Sequence, residues 1–337
     1  MPPTDPSVQT GQLARKSAKP LDVLYHINSE AGLSSITSLI IGAEAAVLID
    51  PPFLVPDAED VVAWIKEKTT LPLAAVFVTH HHPDHHLSSV VVLDAFPDAK
   101  YFAAPYVLAG IEREWGGADG GKPGYWRKIY GPQVPDLPVK PDSYPFSFFI
   151  LPGNTNSPVI LLGPVQGDTV DHSMFYLPRE KVIITGDCVY SRSTQVWGAE
   201  IETPHLLSAW MNIVDLIEGL DVQTIIPGHK ESGSALELDN EADLAYMRKY
   251  LNLFAEKITY AAKKPSMDEV KTTFRDAFPD ADKNHAFFLG KLADCFGEGG
   301  PGWEENAHHS VEKRRVDDLE QYVMGNDAKL KQARGQK

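Results

Sequence analysis

The chain has 337 residues, enough for one large domain or a domain with an appendage. Its 43% hydrophobic and 23% charged residues fit an ordinary globular protein. Thirty-one Lys plus Arg stand against 46 Asp plus Glu, and the net charge of −15 argues against nucleic acid and membrane partners, because it repels phosphate backbones and anionic lipid.

The first residues, 1–20, are polar and proline-bearing and read as a disordered arm. Val23–Ile27, Ile36–Ile41 and Ala46–Ile49 are short aliphatic runs that predict a meander of strands. Asp50-Pro51-Pro52 stops the third, and Asp57 is expected to cap a helix running to about Lys68. Ala74–Val78 is apolar throughout, which suits a strand buried on both faces. Leu87–Phe96 predicts a helix, Lys100–Ala103 a strand and Pro105–Trp115 another helix.

From about 116 to 156 glycines, then prolines and aromatics, dominate. This predicts a loop-rich insertion acting as a lid, with Trp126 and Tyr130 facing a substrate. Strands resume at Pro158–Leu162, Ser173–Leu177 and Val182–Thr185. A helix over Leu206–Glu218 and a buried strand over Gln223–Ile226 follow. Leu244, Met247, Leu251, Phe254, Ile258 and Ala261 recur at helical spacing, and Ser266 with Glu269 forms a capping-box pattern. Residues 239–337 are therefore expected to be a helical C-terminal extension of a 21–238 domain, with a charged peripheral tail after Trp303. Its apolar stripe must cover the core or a homodimer interface. Two cysteines, Cys188 and Cys295, make no disulfide framework and point to a reducing, cytoplasmic setting.

The chemistry concentrates after the buried strand, in Thr79-His80-His81-His82-Pro83-Asp84-His85-His86. Imidazole and carboxylate are nitrogen and oxygen ligands for divalent metals. His80 and His82 can point one way from the strand mouth and Asp84 and His85, past Pro83, another, which suggests two adjacent metals.

The pattern His80-x-His82-x-Asp84-His85 resembles the HxHxDH signature of the metallo-β-lactamase superfamily. Gly186-Asp187 resembles that family's bridging aspartate, and Pro227-Gly228-His229 its last histidine ligand. The resemblance covers roughly residues 22–235. It implies an α+β fold, an αββα sandwich with ligands on loops at one edge, and usually two zinc ions.

One position departs from the pattern. The usual Gly-His-Thr turn reads Gly167-Asp168-Thr169-Val170-Asp171-His172 here, as in a branch of bacterial and fungal hydrolases that this chain resembles. The spacing to Asp187 favours Asp168 as the ligand, with His172 as the alternative or as a group that supports a ligand or faces the substrate. The implied sets are His80, His82 and Asp168 on one metal and Asp84, His85 and His229 on the other, bridged by Asp187. A site this rich in oxygen is a weaker Lewis acid and tolerates manganese or iron, with zinc the first expectation.

The resemblance also implies a hydrolase in which a metal-bound hydroxide attacks a polarised carbonyl while Asp84 orients the nucleophile. Tyr190 either donates to the developing oxyanion or is a packing aromatic. The aromatic insertion favours a small ring-bearing ester, lactone, amide or lactam as substrate. Alternatives are a thioesterase of the glyoxalase II kind, a di-iron redox protein, or a metal-stabilised binding module.

Overall fold

In the computed structural model, residues 19–116, 120–282 and 284–301 are described. Most of the proposed N-terminal arm, and the tail with His308 and His309, lie outside them.

Eleven strands form two sheets among the described residues. The first has β1 (Asp22–Ile27), β2 (Ile36–Ile41), β3 (Ala46–Ile49), β4 (Leu73–Val78), β5 (Lys100–Ala103) and β6 (Asp142–Ser143), paired in that order. The second has β7 (Phe148–Ile150), β8 (Pro158–Val165), β9 (His172–Leu177), β10 (Val182–Gly186) and β11 (Thr224–Pro227), paired as 11-10-9-8-7.

Successive side chains of a strand point to opposite faces, and both faces are apolar here. Val47, Ile49 and Phe77 point between the sheets to meet Phe175, Ile184 and Ile226. Their neighbours Leu48, Val76 and Val78 point outward. They pack against α1 (Val55–Lys68), α2 (Ser89–Ala95) and α3 (Pro105–Trp115), which supply Val61, Ile65, Val92, Val107 and Ile111. On the other side Met174, Ile183 and Ile225 pack against α5 (Pro204–Gly219), α6 (Asn240–Phe254), α7 (Met267–Ala277) and α8 (His285–Phe296). Helices thus cover both outer faces of a two-sheet sandwich.

Several expectations are corrected. Asp57 does not cap α1; it sits within the first turn and accepts from the Ser29 amide and hydroxyl at 3.2 and 2.9 Å. Within the loop-rich insertion lies a helix that the sequence reading did not place, α4 (Gly121–Tyr130). Pro123 is tolerated there because first-turn amides have no intrahelical acceptor. The stripe starting at Leu244 does not run on as one α-helix: α6 ends at Phe254 in a single π-turn over Ala255–Thr259. The stripe's residues Leu244, Met247, Leu251, Phe254 and Ile258 are buried inside the chain's own core with Trp210, Val214 and Ile225. Ser266 and Glu269 do form a reciprocal capping box. Among the described residues no helix is long and apolar enough to cross a membrane.

Candidate metal centre

β3, β4 and β5 run parallel, as do β10 and β11, so the loops after β4, β10 and β11 gather at one edge of the sandwich. The β4 loop carries His80 and His82. Pro83 then opens a 3₁₀ turn, Pro83–His85, closed by the His85 amide on the His82 carbonyl at 3.1 Å, which brings Asp84 and His85 round. From the other sheet come Asp168 on the β8–β9 turn, Asp187 directly after β10, and His229 two residues after β11. Gly228 is required here: a Cβ on it would sit 1.8 Å from Asp187 Oδ1.

Among the described residues the donor atoms form three groups: His80, His82, Asp168 and Asp187 in the first, Asp84, His85 and His229 in the second, and His81 with Glu200 around the shared His82 in a third. In the first, His82 Nδ1 is 2.9 Å from Asp168 Oδ2, and His80 Nε2 is 3.8 Å from Asp168 Oδ1. In the second, His85 Nε2 and His229 Nε2 approach to 3.3 Å, with Asp84 Oδ2 at 3.6 and 3.4 Å from them. Asp187 joins the first two groups: Oδ1 is 3.2 Å from His85 and Oδ2 3.0 Å from His229 and 4.0 Å from His80.

These residues fit divalent metal. His85 Nδ1 donates to Asp50 at 3.1 Å and His229 Nδ1 donates to the Leu33 carbonyl at 2.8 Å. Those bonds occupy both Nδ1 protons, so each Nε2, once free of its proton, can offer a lone pair to an ion. His80 Nε2, Asp168 Oδ1 and Asp187 Oδ1 are buried with no hydrogen-bond partner. Buried polar atoms are seldom left so, and converging ones mark an ion site.

The electrostatics agree. Burial pulls His82 and His85 down, but the Asp168 and Glu200 carboxylates around His82, and Asp187 and Asp84 around His85, outweigh it and hold both well above an ordinary imidazole. Burial raises Asp168 to about 7, although His82 opposes it. Three carboxylates packed this way call for positive charge.

Two further candidates lie beside the donor groups. His172 is absent from all three of them. Its Nε2 accepts from the Asp187 amide at 3.1 Å and its ring stacks on His80 at 4.0 Å, so its lone pair is occupied. Burial lowers it to about 3, the neutral form that this bond needs. Tyr190 is fully buried and stacks on His229 at 5.0 Å. Its hydroxyl donates to Asp187 Oδ2 at 2.5 Å and reaches Asp168 Oδ2 at 3.2 Å, which turns it onto the carboxylates.

Beside the donors lies a cavity of about 570 Å³ whose lining includes Phe53, Trp126, Trp197, Phe287 and Phe288. Trp126 is among its lining residues. Tyr130 is not; it packs behind, against Phe53 at 5.1 Å.

Sequence reading missed Asp50 and Glu200. Asp50 accepts from the Thr79 amide and hydroxyl, both at 2.7 Å, and orients His85. Its signal was present, an acid at the end of a strand beside β4, but it was read as a strand stop. Glu200 Oε1 lies 2.9 Å from His82 Nε2 and carries no motif.

A histidine-rich ion site at the loop edge of an αββα sandwich defines the metallo-hydrolase class of this fold. A family model described as the metallo-beta-lactamase superfamily matches residues 32–229, more than half of the chain, and the chain belongs to that superfamily. Among solved structures it is similar to metallo-beta-lactamase IND-7, at 18% identity over 69% of this chain and 94% of that one, with a TM-score of 0.49. It is similar to DIM-1 metallo-beta-lactamase at 18% identity over 70% and 98%, TM-score 0.45. A metallo-beta-lactamase from Pontibacter korlensis shows 17% identity over 69% and 99%, TM-score 0.43. No curated protein matches the chain.

Proposed function

We propose that this superfamily hydrolase uses two divalent metals to cleave an ester or lactone, or an amide or lactam, of a small ring-bearing molecule. The carrying observation is the pair of donor groups, joined by Asp187, beside an aromatic cavity. His80, His82 and Asp168 would hold one metal, Asp84, His85 and His229 the other, and Asp187 both. Bound there, the metals supply Lewis acidity and a water that ionises near neutral pH.

The protein's own groups do the rest. Asp84 faces the cavity and accepts a hydrogen bond from the attacking water, orienting it toward the carbonyl. Tyr190 fixes Asp187 in place by donating its one hydroxyl proton to it, and the same oxygen lies 3.2 Å from Asp168 Oδ2. Phe53 and Trp126, in edge contact at 5.3 Å, exclude water from one side and offer a flat apolar wall to a ring. With Asp168 where the family commonly has histidine, three carboxylates and four imidazoles face two divalent ions. Zinc suits this set, and the added oxygen donor widens tolerance to manganese and iron. Two free cysteines, Cys188 buried, are in keeping with a cytoplasmic setting.

Metal analysis with a panel of chromogenic esters, lactones, lactams and thioesters tests this reading. About two metals per chain are expected, with loss of metal and turnover in His82→Ala. Full turnover by chelator-treated, metal-free protein overturns it. Iron as the native metal, with no hydrolysis, would favour the redox alternative.

A further inference from the structure

The cavity has one wall that lies beyond the family match. α8 starts well past residue 229, yet Phe287, Phe288 and Lys291 line the cavity. Lys291 lies four residues after Phe287 and three after Phe288, so all three share one helix face. Phe288 is 3% exposed and sets its ring edge-on to His229 at 5.8 Å and 83°. Phe287 is half-buried and meets Trp197 at 5.6 Å and Trp126 of α4 at 6.3 Å. Rings from three distant segments therefore line the cavity next to the donor groups.

Two lysines border that space, and they differ. Lys122 Nζ lies 3.2 Å from Glu114 Oε1, a carboxylate 9% exposed, so that pair is neutralised within the wall. Lys291 Nζ has Asp294 at 3.9 Å, with the side chains 44% and 53% exposed. A long, solvated pair of this kind contributes little and exchanges partners readily. An anionic ligand approaching a chain of net charge −15 needs a local cation at its binding site.

We propose that α8 reads the substrate. A ring system lies against Phe287 and Phe288, and an anionic group about one helical turn from it pairs with Lys291. The substrate class is then a ring-bearing ester, lactone, amide or lactam that also carries a carboxylate or similar anion. The bond cleaved rests on the hydrolase reading above; recognition of ring and anion does not.

The test is titration calorimetry on the metal-loaded, full-length protein with naphthoate (ring and anion), naphthamide (ring alone) and acetate (anion alone). Naphthoate should bind more tightly than either. Lys291→Gln, at a largely solvated position, should weaken naphthoate roughly five- to tenfold and leave naphthamide unchanged. Phe287→Ala should weaken both. Unchanged naphthoate affinity in Lys291→Gln would overturn the proposal, because the carboxylate would then be held by the metals. Equal binding of naphthoate and naphthamide to the unaltered protein would also overturn it. Turnover of the ester and lactone panel is scored in the same preparations. Turnover with no Lys291 dependence of naphthoate binding sinks this proposal alone; the expected binding pattern with no turnover sinks the hydrolase reading alone.

Discussion

The Nε2 atom of His82 lies 2.9 Å from Glu200 Oε1, and this contact turns the opposite ring nitrogen onto the donor group of Asp168. A carboxylate behind a ligating imidazole fixes ring and tautomer and raises its basicity. Glu200→Gln should therefore weaken metal binding about 10- to 100-fold, read by chelator competition, with little change in helix and sheet content. Unaltered affinity would make Glu200 a packing residue held by Trp197, whose indole donates to it at 3.3 Å.

Trp126 and Tyr130 sit on the same helix but should behave differently. Trp126→Ala removes cavity wall and should raise KM for a bulky aromatic substrate about ten- to hundredfold, with metal content and small esters untouched. Tyr130→Ala removes packing from behind Phe53 and should lower the melting temperature without changing the ratio of large to small substrates. Equal losses on both substrates in Trp126→Ala would indicate damage to the fold.

Truncation after residue 238 would strip α6, α7 and α8 from a core that includes Trp210, Val214 and Ile225, and insoluble protein is expected. A milder version is Phe274→Ala at a fully buried ring, which should cost about 3–5 kcal/mol in denaturant unfolding. A soluble, active truncation would show that the core does not depend on the extension.

His86 makes acid stability testable. Burial lowers it from 6.5 to about 4, despite the hydrogen bond its Nε2 donates to the His81 carbonyl at 3.1 Å. Above pH 6.5 neither folded nor unfolded chain holds this proton. Between 6.5 and 4 the unfolded chain takes it up and the folded chain refuses it, so stability falls with pH by about 1.4 kcal/mol per unit. His86→Gln should be less stable near pH 7 but lose less on acidification to about pH 5. Parallel losses in urea titrations of the two proteins would assign the acid sensitivity elsewhere.

The metal-donor candidates were legible because each rests on local pattern. His80 to His85 lie within one turn after an apolar strand, and Asp187 and His229 each follow a strand end. Asp168 was chosen over His172 by counting back from Asp187, and the bond from the Asp187 amide to His172 favours that choice because it occupies the histidine's lone pair. What stayed hidden depends on tertiary approach. Glu200 meets His82 across 118 positions, a separation that no spacing rule encodes. Phe287 and Phe288 read as ordinary helix-face hydrophobics, and nothing local says which helix faces a cavity. α4 was hidden by its own composition: Gly121, Pro123 and Gly124 argue for loop, and only its packing through Trp126 and Tyr130 on Phe53 overrides them.

The donors are divided between the sheets: His80, His82, Asp84 and His85 hang from the first, and Asp168, Asp187 and His229 from the second. An ion held by both halves acts as a clasp across the sandwich seam. Unfolding must release it, so the free energy of ion binding adds to that of folding. The melting temperature should then climb with free metal concentration, and gentle chelation should loosen the seam between the sheets before it disturbs either sheet's own hydrogen bonds. Such a protein would sense metal scarcity as a mechanical weakness, and its lifetime in the cell would follow metal supply as closely as its activity does.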